Sequence, residues 1–390
     1  MKKIILLLGL PGYVEQTQKY INLLYPQYQC IYLKNKVTFK QITKKYQNNN
    51  PIAIINRGEE FIELHSQLID YFQLPGPSFS AVRYCRDKAT LHQLMIDSGL
   101  EKYRPKTKVI NLEKLTEEIK IAQFPLVIKP YQGGKGRGVY ILKFNADFGS
   151  HIIEELGAHF ANEPSLKNKT EQKILLEEFI EGQQLTCTSY IDHKGKLHVL
   201  GFVDVLDGYD VDQNHRQLVY RTTPSKYPDQ IKNQVTNILQ QLIDILQLKS
   251  TFIHPDFIIT PDSQVKLIEL NVRMGGLRYE MVKHASGIYL NLYALQLALG
   301  KIPNDQIIKN DSCTGVDIWS PKTGIVKKIV LPHNPHLVNS EIYFNPGDKY
   351  IAPPQGNKHL ARFFVSSKNI DSLKIAQKIL QETEIDIISS

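Results

Sequence analysis

Over residues 1–80, short apolar runs alternate with helical stretches. The runs at 4–8, 30–33 and 52–55 read as buried strands of a parallel sheet, the pattern of an α/β unit. Gly9-Leu10-Pro11-Gly12 reads as a turn, and it lacks the G-x-G-x-x-G fingerprint, so no dinucleotide is expected there. Leu74-Pro75-Gly76-Pro77 marks a break in the chain. Asp87 then caps a helix with Leu91, Leu94 and Met95 on one face and Gly99 at its end. Lys88 therefore sits at the positive end of a helix dipole, either solvated or facing an anion.

Residues 124–130 form an apolar strand with Lys129 near its end, and 139–143 form another. Between them, Gly133, Gly134, Lys135, Gly136, Arg137 and Gly138 make a glycine-rich turn. Its backbone N–H groups are open to an anion, and two cations reinforce them. The spacing is not that of a P-loop and no helix follows at once. Further strands are expected at 174–180, 184–191 and 197–205. Glu177 and Glu178 on the first of these either hold an adenine amino group and a ribose or are solvated edge charges. Residues 206–227 show no periodicity and read as a long functional loop bearing Tyr209, Asp210, His215, Arg216, Tyr220 and Arg221. Asp229 is expected to cap an amphipathic helix that buries Ile231, Val235, Ile238, Leu239, Leu242 and Leu246. A later helix carries Ile288, Leu292, Leu295 and Leu299 and ends at Gly300. The tail 311–390 holds strands, a helix near 371–380 and no evident chemical constellation.

The chemistry concentrates in residues 252–276, FIHPDFIITPDSQVKLIELNVRMGG, where two apolar runs flank Thr260-Pro261-Asp262-Ser263-Gln264. This is a hairpin pattern. Alternation puts His254, Asp256 and Ile258 on one face of the first strand, and Val265, Leu267, Glu269 and Asn271 on one face of the second. Pairing Thr260 with Val265 sets Asp256 opposite Glu269, with Asn271 just beyond. Two carboxylates and an amide oxygen form a hard-oxygen set of the kind Mg²⁺ or Mn²⁺ accepts. The alternative, ordinary charges on a wet face, conflicts with two otherwise apolar strands and with the expense of an unpaired buried carboxylate. Beside such a site, the glycine turn and Lys129 read as a lid over a triphosphate.

Composition adds less. The 390 residues suggest about two to four compact units. A 42% hydrophobic and 22% charged chain is an ordinary globular one. The net charge of +8 invites a nucleic-acid reading, but the cations are dispersed, and a field that attracts anionic small molecules accounts for it as well. Cys30, Cys85, Cys187 and Cys313 lack metal or disulfide spacing, which fits reduced thiols of a cytoplasmic protein. The apolar run after Met1-Lys2-Lys3 is short and lacks a small-residue cleavage site. It reads as a first strand rather than a signal peptide, and no segment is long enough to span a membrane.

Taken in order, Asp87-Lys88, Val127-Ile128-Lys129-Pro130, the glycine turn 133–138, the stretch 177–182, Asp256 and the stretch 268–273 resemble the ATP-grasp superfamily, in its carboxylate–amine (L-amino acid) ligase branch. The resemblance implies an α/β and α+β multidomain chain with the ATP-grasp fold. It divides into an N-terminal Rossmann-like domain (1–80), a small ATP-grasp subdomain with connecting helices (81–184), a large subdomain with the metal site (185–310) and a C-terminal α+β subdomain (311–390). It implies ATP and Mg²⁺ or Mn²⁺ as cofactors. Lys88 and Lys129 would meet phosphates, Glu177, Glu178 and Ile180 would line the adenine, and Asp256, Glu269 and Asn271 would hold metal. Arg273 would lie at the transferring phosphoryl group, and His254, Gly275, Gly276 and Arg278 would line the substrate site. The implied reaction joins an amino acid to another amino acid or a small carboxylic acid through an acyl phosphate. Gln184 stands where relatives often carry a ribose-binding glutamate, and Lys135 and Arg137 stand where small or hydroxylated residues are frequent. Competing expectations are a carboxylase or purine-pathway ligase of the same superfamily, and an inactive nucleotide-binding regulator. The expected partners are small molecules, without nucleic acid or membrane, and a homodimer is compatible with the sequence.

Overall fold

The computed structural model describes residues 2–33, 37–132, 138–162, 172–207, 219–304, 307–352, 358–368 and 370–389. The N-terminal alternation becomes a parallel sheet of order β2-β1-β3, formed by β1 (Lys3–Gly9), β2 (Tyr28–Tyr32) and β3 (Ala53–Arg57). Helices α1 (Pro11–Leu24), α2 (Phe39–Tyr46) and α3 (Ile62–Phe72) connect and cover it. Strand β1 is apolar on both sides because both are buried. Ile5 and Leu7 enter one core and Leu6 and Leu8 another, as parallel central strands require. The turn expected after β1 shrinks to Gly9-Leu10, because Pro11, with its preset φ, opens α1 directly. Gly9 has φ +141°, and a Cβ there would meet the Arg57 backbone at 2.8 Å, so the two strand ends lie side by side.

Helices α4 (Phe79–Arg86) and α5 (Lys88–Asp97) follow, and the Asp87 carboxylate accepts the Thr90 N–H at 3.0 Å as the expected cap. Next comes an antiparallel sheet of order β4-β7-β5-β6, containing β4 (Thr107–Asn111), β5 (Leu126–Pro130), β6 (Tyr140–Leu142) and β7 (Lys173–Glu178). Helices α6 (Leu115–Lys120) and α7 (Ser150–Asn162) back it, and Ile128, Leu156, Phe160 and Leu175 form its own core. The third layer is an eight-stranded antiparallel sheet of order β12-β11-β8-β9-β10-β13-β17-β15. Its strands are β8 (Gln183–Ile191), β9 (Leu197–Leu206), β10 (Val219–Thr223), β11 (Thr251–Ile259), β12 (Val265–Asn271), β13 (Ser312–Ile318), β15 (Leu337–Ile342) and β17 (Ala361–Ser367). Helix α8 (Asp229–Leu246) buries its apolar stripe beneath β11 and β12, together with Val82, Leu91 and Met95 of α4 and α5. Helices α9 (Arg278–Ser286), α10 (Leu290–Ala298) and α11 (Ser372–Gln381) and a small sheet of β14 (Gly324–Val330), β16 (Lys349–Tyr350) and β18 (Glu384–Ser389) complete the chain.

Four local expectations change. Residues 219–223 form a strand rather than loop, since Val-Tyr-Arg-Thr-Thr pairs on both edges, with β9 and β13. Asp229 is the first helical residue, not the cap. Pro228 holds the cap position, and the Asp229 carboxylate sits at the favourable end of the dipole, 3.6 Å from Lys232. The sequence from 276 to 300 makes two helices, broken at Gly287 with φ +79°. Strands β13, β17 and β15 continue the sheet of β8–β12, so no sheet boundary falls at residue 310.

Candidate functional site

The hairpin of β11 and β12 brings Asp256 opposite Glu269 and His254 opposite Asn271. The route to that pairing differs from the one the spacing suggests. The strands close on Ile259 and Val265, and a bulge between Asp256 and Phe257 leaves Ile268 without a partner. Val265 and Leu267 consequently share the core with Leu270 and Val272, while Glu269 and Asn271 occupy the opposite, partly exposed face. The four residues 265, 267, 269 and 271 do not share a face. The bulge reconciles an apolar tip with a polar base on one strand.

Around the carboxylate pair, Gln184 Nε2 donates to Asp256 Oδ1 at 2.9 Å, a role periodicity gave no sign of. Lys88 Nζ lies 3.2 Å from Glu269 Oε1 and the residue is buried, so the helix-end lysine faces an anion rather than water. Burial raises the Asp256 carboxyl above its ordinary range, against the pull of Gln184, Arg278, Arg221 and Lys88. His254 Nδ1 shares a hydrogen bond with Thr186 Oγ1 at 3.0 Å. Its pKa falls to about 3 through burial and then through Arg278 and Arg221, so the ring is neutral. Arg278, the first residue of α9, is 2% exposed; its Nε has no hydrogen-bond partner, and burial lowers it to about 9. Gly275 makes room for both neighbours, since a Cβ would meet Arg278 Cγ at 2.8 Å and the His254 ring at 3.1 Å, whereas at Gly276 it would meet nothing within 4 Å.

On the facing sheet, Lys129 ends β5 and its ammonium lies 2.6 Å from the Glu177 carboxylate of neighbouring β7. Both are almost fully buried, with His92 of α5 3.7 Å from the same carboxylate. Glu177 is thus an interior ion-pair partner, not a solvated edge charge. Glu178 instead accepts the Lys106 N–H at 2.8 Å, and Ile180 lies half-buried in the connector between β7 and β8. Gly138 has φ +70°, where glycine is favoured. Gly133, Gly134, Lys135, Gly136 and Arg137 lie outside the described residues, as do Tyr209, Asp210, His215 and Arg216.

Arg273 ion-pairs with Glu59, just beyond the end of β3, and donates to the Met274 carbonyl at 3.2 Å. Burial brings it to about 10. Tyr220, expected in a functional loop, is 2% exposed and packs into the core of β13 and β17. Arg221, on the other face of β10, reaches Asp317 at 3.3 Å. Asp317 also binds Arg362 at 2.6 Å and lies 3.6 Å from His359, which stacks edge-on with Trp319 and Tyr343. Burial opposes Asp317 ionisation, but the two arginines outweigh it and lower its pKa. The tail therefore does contribute a constellation, assembled from segments separate in sequence, with Arg221 and Arg362 meeting on Asp317.

Among the described residues no group of three or more His, Cys, Asp or Glu side chains forms a metal cluster, in keeping with a set of two carboxylates and one amide. None of the described helices is long and apolar enough to cross a membrane. Residues 122–280 match the ATP-grasp domain. The chain carries an ATP-grasp domain. That match contains Lys129, Glu177, Gln184 and the whole β11–β12 hairpin, and Lys88 reaches it from α5. Likeness of fold to solved structures extends over the entire chain. An L-amino acid ligase from Bacillus licheniformis is similar across 100% of this chain and 99% of its own, with TM-score 0.82 and 15% identity. Phosphoribosylglycinamide synthetase from Anaerococcus prevotii is similar over 99% and 100%, with TM-score 0.69 and 17% identity. In sequence, the D-alanine–D-alanine ligase of Parabacteroides distasonis is 24% identical over 218 residues, spanning 54% of this chain and 62% of that relative's length.

Proposed function

We propose that the protein is an ATP-dependent carboxylate–amine ligase that joins amino acids, or an amino acid to a small carboxylic acid. The observation that carries this reading is the Asp256–Glu269 pair, set by the hairpin within an ATP-grasp domain and faced by Lys88. Similarity to D-alanine–D-alanine ligases and to an L-amino acid ligase fold supports the amino-acid substrate class over bicarbonate or formate.

Asp256, Glu269 and Asn271 would hold Mg²⁺ or Mn²⁺, and the donor set fits. A buried carboxylate whose charged form is disfavoured by desolvation is the group a cation relieves. The bound ion would supply charge neutralisation on the phosphates of ATP. Lys88, from the start of α5, and Lys129, from the end of β5, supply positive charge. The substrate carboxylate oxygen attacks the γ-phosphorus, the bond to the ADP oxygen breaks, and an acyl phosphate forms. The unprotonated amine then attacks the acyl carbon and phosphate leaves. These steps need alignment and charge compensation rather than a protein nucleophile. Arg278, with its unpartnered Nε, offers a fork for a carboxylate, and neutral His254 orders the floor beside it. The test is phosphate release from Mg·ATP with pairs of amino acids, against bicarbonate and formate. Release with amino acids and formation of an amide by mass spectrometry are expected. Release with the small acids alone would overturn the reading.

A further inference from the structure

The parallel strands β1 and β3 end together, because Gly9 lets its backbone touch that of Arg57. Open α/β sheets bind ligands outside such carboxyl ends. The Arg57 guanidinium lies there close to two rings, 5.6 Å from the centroid of Tyr13 and 5.4 Å from that of Tyr279. Among the described residues its one side-chain hydrogen bond is weak, from Nη1 to Met274 Sδ at 3.1 Å. Among the described residues no carboxylate pairs with it, although the nearby Arg273 has Glu59. Burial lowers its pKa to about 10, so it stays charged at neutral pH. The contact with Met274 places it one residue beyond Arg273, on the segment that leaves the metal-binding strand.

We propose that Arg57, flanked by Tyr13 and Tyr279, is a receptor for the free carboxylate of an amino-acid substrate. The rings hold the cation by its charge, and the planar N–H fork of a guanidinium matches a carboxylate in a way that lysine does not. The anion supplies the countercharge that the described residues do not. The assignment rests on the ligase reading in naming the ligand as an amino acid.

The experiment keeps one amino acid as the acyl donor and offers the second, the amine acceptor, either as the acid or as its amide, which lacks the negative charge. Binding is scored by thermal shift of the full chain with Mg·ADP present, and turnover by phosphate release from Mg·ATP. The wild type should favour the acid form of its substrate by about tenfold or more, the loss typical of an unpaired buried charge. Arg57→Met should bring acid and amide within about twofold of each other, with unchanged affinity for ATP; Arg57→Lys should keep part of the preference. Tyr13→Leu, at a residue 36% exposed, serves as the second variant should Arg57→Met fail to fold, and it should weaken the preference without abolishing it. A full acid preference in Arg57→Met, or in Tyr13→Leu where that variant stands in, overturns the proposal. A wild type that binds acid and amide equally overturns it too. Absence of phosphate release in the wild type would sink the ligase reading, while the thermal-shift comparison still decides the role of Arg57.

Discussion

Replacing Glu177 with glutamine should destabilise the nucleotide-free protein by about 3–5 kcal/mol, the loss expected when one partner of a buried ion pair is removed. Glu177 and Lys129 lie 2.6 Å apart and are 3% and 5% exposed. At an effective dielectric near 20, their attraction at that distance is about 6 kcal/mol. Desolvating two ions offsets most of this, so the intact pair is close to neutral for stability. The glutamine retains the shape and adds a donor, but leaves the Lys129 ammonium buried with no anion. His92 does not redistribute the charge, because burial, followed by Lys129, holds its ring near 3 and therefore neutral. The assay is urea unfolding of wild type, Glu177→Gln and the double variant Glu177→Leu/Lys129→Met. The double variant should lose less than Glu177→Gln, since apolar groups of similar size replace both charges. Saturating Mg·ATP should narrow the deficit of Glu177→Gln, because phosphate oxygens offer Lys129 a substitute anion. A Glu177→Gln midpoint within about 0.5 kcal/mol of wild type would refute the reasoning.

Three other outcomes are expected. Gly275→Ala should lower turnover about tenfold or more by displacing Arg278 and His254, while Gly276→Ala should stay near wild type; equal activities would remove the packing argument. Asp256→Ala and Glu269→Ala should each abolish Mg·ATP-dependent phosphate release yet melt cooperatively, and near-normal release in both would end the metal assignment. His65 is buried, with Nε2 donating to the Ile54 carbonyl at 3.2 Å and its pKa lowered to about 4 by burial. The unfolded chain protonates first, near pH 6.5, so its stabilising contribution is present above that pH and is lost as the pH falls towards 4. His65→Gln should flatten that limb by about 1.4 kcal/mol per pH unit, checked by thermal melts between pH 7 and pH 5.

Local patterns were legible wherever one chain segment carries the whole signal. The buried first strand, the Asp87 cap and the carboxylate pair all follow from alternation and helical spacing. The pair survived a wrong closing contact because the Ile268 bulge restores the offset that regular pairing would have lost. Partners supplied from afar were not legible. Nothing near Lys129 in sequence announces Glu177, and nothing near residue 184 announces Asp256. Tyr220 and Arg221 are adjacent, yet a strand turns one into a core and the other towards Asp317. Trp319, Tyr343 and His359 meet because β13 and β15 both pair with β17. Charge and ring chemistry at such distances is invisible to periodicity.

The bulge also makes the hairpin unequally tolerant of changes in length. Its turn, 260–264, projects away from the carboxylates and is free to lengthen or shorten without disturbing what lies below. The stretch from 265 to 269 has less freedom. Deleting Ile268 would remove the bulge yet keep Asp256 opposite Glu269, since residue 269 would follow 267 on the alternate face. Drawing Ile268 into the ladder, or adding one residue that pairs, would instead rotate everything beyond it by half a turn. Glu269 and Asn271 would then point into the oil beneath the sheet, and Leu270 and Val272 would face outward. One residue gained there would exchange the inside of the protein for its working surface, while several gained or lost at the tip would leave the carboxylates in place.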